Sequence, residues 1–277
     1  MSRPEGSLPP DLFYNNDEAQ KYDASSRMNH IQKEITERAI EMLALPEGKS
    51  GYILDIGCGT GLSGEVLEDY GHYWVGCDIS TDMLSIANDK ESDVGDVFAA
   101  DVGQGLPFRP ASFDGVISIS AIQWLCYSDS SQQDPKLRLN RFFSSLYFIL
   151  KRHAKAVLQF YPESPEQAVL IAQAASKVGF SGGIVIDYPN SGKAKKYYLC
   201  LSFERSYQLP TALGVGDSHG NGINIVNRSK KGKSRKGGKG GVKGIDWIMQ
   251  KKERRRKQGK EVKNDSKYSG RKRSVGF

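Results

Sequence analysis

Residues Ile53 to Gly61 read I-L-D-I-G-C-G-T-G, an apolar run that reaches an acid and then turns through three closely spaced glycines. Ile53, Leu54 and Ile56 suit a parallel strand covered on both faces. Gly57, Gly59 and Gly61 remove the β-carbons where a ligand must meet backbone. A buried strand that hands over to a helix in this way needs parallel neighbours and helices on either side.

The chain supplies both in alternation. Before the strand, a short helix is expected over Asp11–Tyr22. A longer one follows over Asn29–Leu45, where Ile31, Ile35, Ala39, Met42 and Leu43 share a face and Pro46 stops the run. After it come a helix over Leu62–Tyr70 stopped by Gly71, a strand over His72–Cys77 ending at Asp78, and a helix over Met83–Lys90 with Ser80 as N-cap. Val97–Ala100 is a short strand ending at Asp101, and Phe113–Ile119 is a fourth. Arg138–Leu150 is a helix with Leu139, Phe142, Phe143 and Leu146 inward, and Ala154–Tyr161 is a fifth strand. A helix over Gln167–Val178 then leads to Ile184–Asp187 and Tyr197–Phe203, two strands joined by a turn-rich loop and read as a hairpin. This rhythm predicts an open, mostly parallel α/β sheet with right-handed crossovers and an antiparallel last strand.

Charge divides the chain. From Arg228 to Phe277 there are 20 Lys and Arg against 4 Asp and Glu, a net of +16, which leaves −9 for the rest and +7 overall. An acidic body with a basic tail points to a polyanionic partner, most often nucleic acid. Lys230–Lys243 is a Lys/Gly mixture too polar to fold alone, and Ile245–Lys257 has the pattern of a basic helix. The expected divisions are a flexible lead-in at 1–10, a folded domain at 11–207, a variable Gly/Lys-rich linker at 208–243, and a basic, largely disordered tail at 244–277. The four cysteines, Cys58, Cys77, Cys126 and Cys200, lack CxxC or Cys/His spacing and read as buried free thiols in a reducing compartment, with no metal site. No window has the roughly 18 consecutive apolar residues of a membrane span, so a soluble intracellular protein is expected.

Gly59, Gly61 and Gly64 match G-x-G-x-x-G, the phosphate turn of dinucleotide folds. However, the glycine spacing begins at Gly57 as G-x-G-x-G behind Asp55, and acids recur at the next two strand ends as Asp78 and Asp101. A carboxylate at the second position can take both hydroxyls of a ribose, one at the third an adenine amino group, and one at the first can oppose a cation. A cofactor with adenosine, no phosphate and a cationic reactive centre satisfies all three, and S-adenosylmethionine is that cofactor. The competing reading is that these aspartates only cap helices.

The motifs D-I-G-C-G-T-G, W-V-G-C-D-I-S and A-A-D-V-G-Q-G-L-P-F resemble the first three of the class I S-adenosylmethionine-dependent methyltransferases. Further matches run along nearly the whole chain. I-S-I-S-A-I-Q-W-L at Ile117–Leu125, Q-F-Y-P at Gln159–Pro162, G-F-S-G-G at Gly179–Gly183, K-K-Y-Y-L at Lys195–Leu199 and the basic tail pieces resemble the eukaryotic small-subunit rRNA (guanine-N7)-methyltransferases. Only Leu209–Lys243 departs. The resemblance implies a Rossmann-like, seven-stranded sheet. It also implies a cofactor site of Asp55, Gly57, Gly59, Gly61, Asp78, Ile79, Asp101, Val102 and Ser118.

The same resemblance implies catalysis by positioning, since guanine N7 has a free lone pair and needs no general base; none of the four histidines falls at a strand end facing the ligand. Trp124 and Tyr161, just beyond the fourth and fifth strands, are candidates to stack on the base, with core packing the equal alternative for Trp124. Tyr14, Tyr22 and Arg27 can form a lid, although packing of their helix accounts for them more simply. The tail would bind RNA phosphates, and Lys251, Lys252 and Arg254–Lys257 have the composition of a nuclear localisation signal. The implied location is the nucleus, in nucleolus and nucleoplasm, and also the cytoplasm. The implied partners are small-subunit rRNA in the pre-ribosome and a small zinc-binding activator protein docked on the edge strand at 97–100. Two other readings remain: an assembly factor whose binding rather than methylation matters, and a small-molecule methyltransferase, which leaves the tail unexplained.

Overall fold

The computed structural model describes residues 4–128, 134–214, the backbone of 222–225, and residues 252 and 256. The chain divides into two compact units, Met1–Asn227 and Arg228–Phe277. The basic helix expected over Ile245–Lys257 and the localisation signal lie outside the described residues, apart from Lys252 and Arg256.

The first unit opens with a 3-10 turn at Pro4–Gly6, α1 (Pro10–Phe13), α2 (Asn16–Asp23) and α3 (Ser26–Leu43). The single helix expected over Asp11–Tyr22 is therefore two. Asn15 breaks it by accepting the Glu18 amide with its side chain, a new N-cap. The lead-in is not free either, because Glu5 is buried against the body. Ser25 caps α3, and Ala44 ends it in a left-handed conformation two residues ahead of Pro46.

Then follow β1 (Tyr52–Ile56), α4 (Leu62–Asp69), β2 (Tyr73–Asp78), α5 (Thr81–Asp89), β3 (Gly95–Ala99), β4 (Phe113–Ile119), α6 (Pro135–Ile149) and β5 (Leu150–Phe160). The unit ends with α7 (Pro165–Val178), β6 (Ser181–Asp187), β7 (Lys196–Ser202) and β8 (Gly222–Ile225). The sheet order is β3-β2-β1-β4-β5-β7-β6-β8. Strands β1 to β5 pair in parallel, while β7 runs antiparallel between β5 and β6.

The seven expected strands are present. The eighth comes from the segment expected to be linker: Gly222–Ile225 pairs antiparallel with Val185–Gly182 of β6. Ala212 is buried nearby, and Arg38 donates to Thr211 O at 2.6 Å. The boundary at 207 thus falls short of the folded unit. Helix-covered apolar clusters fill both faces of the sheet, one built on Phe142, Phe143 and Phe160, the other on Ile40, Leu43 and Trp74.

Candidate active site

Strand order reverses between β1 and β4, and the crevice at such a switch point, beyond the carboxyl ends of the strands, is where open α/β sheets bind ligands. A cavity of about 600 Å³ opens there. Its wall is the turn after β1 (Ile56–Thr60), the ends of β2 (Cys77–Ile79) and β3 (Ala100–Val102), and the segment after β4 (Ile119–Leu125).

The turn is pinned onto β2. Both the Gly57 and Cys58 amides donate to Cys77 O, at 2.8 and 3.1 Å. The Asp78 carboxylate lines the cavity and accepts the Gly59 amide at 3.0 Å and the Ser80 amide at 2.9 Å. Burial pushes its pKa up, while the amides of Ser80, Gly59 and Ile79 pull it back. Two backbone anchors leave this carboxylate one orientation from which to meet a ligand. Asp101 also lines the cavity, caps the following 3-10 turn through the Gly103 amide at 2.9 Å, and pairs with Arg138 at 2.8 Å.

Three residues expected in the cofactor site lie outside the wall. Asp55 is fully buried one residue before the end of β1, where its carboxylate accepts from the Ser63 hydroxyl; Ser63 itself faces the cavity. Burial, opposed by that hydrogen bond and reinforced by Asp78, raises its pKa to about 7. Gly61 is the left-handed N-cap of α4 at φ 82°, a backbone role. Ser118 points into the sheet and donates to Ile56 O at 2.8 Å, tying β4 to β1. Gly64, the third glycine of the dinucleotide-like pattern, packs against Trp74, whose ring would lie 2.2 Å from an added Cβ. That glycine serves helix packing. Gly57, Gly59, Asp78, Ile79, Asp101 and Val102 all line the cavity.

Opposite the turn the wall is aromatic. Trp124 is 9% exposed, lines the cavity and also packs on Phe13 and Tyr14 at centroid distances of 6.1 and 6.0 Å. Tyr161 lines it with Lys196 Nζ 5.5 Å above the ring. Tyr14 and Tyr22 reach the wall, but Arg27 does not. Burial chiefly, with negative Glu5, Asp78 and Glu18 nearby, pushes the Tyr14 phenol up to about 12. The Ser80 hydroxyl, besides capping α5, donates to Tyr14 O at 2.7 Å and so holds α1 over the cavity. His72, the one buried histidine among the described residues, accepts the Gly51 amide away from the cavity.

The sequence reading passed over Glu5, Gln123 and Arg138, all buried and all in the wall. Arg138 had a signal, since it precedes Phe142 and Ile149 at i+4 and i+11 on the inward face of α6. Glu5 had none, because its place depends on Gln123, 118 residues away. Three buried polar atoms of the wall, Thr60 Oγ1, Gln123 Oε1 and Arg138 Nε, have no protein partner, and neither does Asp55 Oδ1 just behind it. Unpaired buried groups are costly, so the cavity is built for a ligand rich in hydrogen-bonding groups.

Comparison with known proteins agrees with this geometry. A family described as "Methyltransferase domain" matches residues 54–158, and one described as "Methyltransferase involved in Williams-Beuren syndrome" matches 203–275. Two S-adenosylmethionine-dependent methyltransferase structures share the fold. One is TehB-like, from Corynebacterium glutamicum (16% identity, 69% of this chain and 100% of that one, TM-score 0.52); the other is from Aquifex aeolicus (17%, 68% and 98%, TM-score 0.51). The Mus musculus 18S rRNA (guanine-N(7))-methyltransferase is 52% identical over 99% of this chain and 98% of its own. The Saccharomyces cerevisiae 18S rRNA (guanine(1575)-N(7))-methyltransferase is 48% identical over the full length of both. With identity at this level from end to end, the chain belongs to the 18S rRNA (guanine-N(7))-methyltransferase family.

Proposed function

We infer that this protein transfers a methyl group from S-adenosylmethionine to N7 of a guanine in small-subunit rRNA during ribosome assembly. The observation that carries the reading is the doubly anchored Asp78 carboxylate, set between the glycine turn and an aromatic wall at the switch point of the sheet. The unpaired Thr60 Oγ1 suits a cofactor with amino, carboxylate and hydroxyl groups. In this assignment Asp78 takes the ribose hydroxyls, Asp101 and Val102 border the adenine, and the backbone at Gly57 and Gly59 borders the amino-acid end. When bound, S-adenosylmethionine would supply an electrophilic methyl carbon on a cationic sulfur, for which the N7 lone pair would be the nucleophile and the neutral thioether the leaving group.

Because N7 carries no proton, the protein's own work is alignment. Holding the base in line can lower the barrier by up to about 7–11 kcal/mol in ideal cases. Trp124 and Tyr161 present ring faces for this, stacking being worth about 1–3 kcal/mol per base. Lys193 and Lys196 on the rim suit the flanking phosphates. The basic residues of 228–277 add sequence-independent affinity and nuclear targeting, with action in the nucleolus and nucleoplasm and passage through the cytoplasm. An assembly-factor role without methylation has no observation of its own in its favour.

Titration calorimetry with the natural chain and Asp78→Ala tests the assignment. Micromolar affinity for S-adenosylmethionine is expected in the first and a loss of at least about tenfold in the second, the scale of a hydrogen bond to a charged group. Equal affinities would remove Asp78 from the site, and no binding by the natural chain would remove the cofactor.

The activator partner fits the edge of the sheet. Among the described residues β3 pairs only with β2, and the Val97 amide donates to its neighbour Asp96 Oδ1 at 2.8 Å rather than to β2. A partner strand would replace that carboxylate as acceptor. Val97→Pro is expected to abolish co-purification with the activator while leaving S-adenosylmethionine binding in place; retained co-purification would move the interface elsewhere.

A further inference from the structure

Glu5 stands in a three-residue 3-10 turn at the start of the chain, is 8% exposed, and lines the cavity beside Pro4, Tyr14 and Trp124. Its position is imposed from the far wall. Gln123 Nε2 donates to Glu5 Oε1 at 3.0 Å and to Ser120 O at 2.7 Å, which fixes the amide and, through it, the carboxylate. The other end of the same amide, Gln123 Oε1, is buried with no protein partner, although Gln123 is 3% exposed. Ser120, which supplies the anchoring carbonyl, has φ 59°, a left-handed conformation that a residue with a side chain adopts only when its surroundings force it. The Glu5 carboxylate and the Gln123 carbonyl oxygen, two acceptors, thus belong to one buried cluster with a single side-chain NH2 group between them.

The unpaired Gln123 Oε1, and the acceptor capacity left on the Glu5 carboxylate beside it, suit a ligand that brings donors. If N7 faces the methyl group, the opposite edge of guanine carries N1–H and the N2 amino group, adjacent donors that match a carboxylate. Adenine presents a lone pair at N1 and no amino group at C2, so the same carboxylate would repel it. Resting on the reading above, we propose that Glu5, held by Gln123, accepts hydrogen bonds from N1–H and N2–H of the target guanine, and that the N-terminal turn thereby sets purine specificity. A site built to accept hydrogen bonds rejects analogues that lack the donors, because its polar groups are then buried unpaired.

The test uses the full chain in complex with its activator, with Glu5→Gln beside the natural protein. The substrates are a small-subunit RNA carrying the methylated guanine and the same RNA with inosine there, which lacks only the N2 amino group. The natural protein should prefer guanine over inosine by roughly 10- to 100-fold in kcat/KM, the range for a hydrogen bond to a charged group. Glu5→Gln should lose most of its activity on guanine, because its amide sets a donor against N1–H or N2–H, and inosine should become the equal or better substrate. Its affinity for S-adenosylmethionine should stay within about twofold, which also reports folding. Equal losses on both RNAs, no preference in the natural protein, or weakened cofactor binding by Glu5→Gln would overturn the assignment. Failure of the natural complex to bind S-adenosylmethionine would instead overturn the reading on which it rests.

Discussion

Asp55, fully buried behind the glycine turn, has a pKa raised to about 7 from an ordinary 3.8, chiefly by loss of water around it. The folded protein therefore holds this proton over a range in which the unfolded chain has released it. The contribution to stability is complete below about pH 4 and is lost as pH rises through 7. Urea unfolding of the ligand-free protein should show this loss, whereas Asp55→Asn should escape it. The variant is expected to gain on the natural chain between pH 4 and 8, by an amount on the order of 4 kcal/mol; a constant difference would place the titration elsewhere. The three acids also show what a sequence can reveal of a site. Asp78 closes β2 and Asp101 stands two residues past β3, so both reach the crevice as strand-end placement predicts. Asp55 is followed by one more strand residue, Ile56, and is turned toward Ser63 of α4. One position along a strand separates cavity wall from core, finer than pattern reading resolves.

Among the elements, α3 is tied to the far end of the sheet by one side chain. Arg38, 10% exposed, donates to Asp187 at 3.0 Å and to Thr211 O at 2.6 Å, while the 2%-exposed Asp187 also accepts the Leu213 amide at 2.8 Å. Arg38→Ala leaves a buried carboxylate without its cation, and denaturant unfolding should report a loss of about 3 kcal/mol. A change below about 0.5 kcal/mol would class the pair with exposed surface bridges. The α3 pattern was legible because its apolar face repeats through four turns. The break between α1 and α2 was not, since Asn15 acts through a side-chain cap that a periodicity search ignores. β8 was unreadable for a related reason: its composition is that of a linker, and only the open edge of β6 gives its backbone partners.

For the molecule as a whole, charge and chemistry separate along the chain. The +16 is carried by residues 228–277, whereas the described residues of the cavity wall belong to 1–227. Removing 228–277 should leave S-adenosylmethionine affinity within about twofold. It should weaken RNA binding and flatten its dependence on salt, since each phosphate contact contributes roughly 0.7–0.9 to the log–log slope. An unchanged slope would assign the RNA contacts to the folded unit. The strand order carries a consequence for stoichiometry. Among the described residues the sheet ends in the four-residue β8 on one side and in β3 on the other. Filaments grow only when each added copy exposes again the surface it has consumed. A neighbour that takes the β3 border without offering a β8 of its own leaves nothing there to repeat, so association of that kind stops at a pair, whatever the concentration.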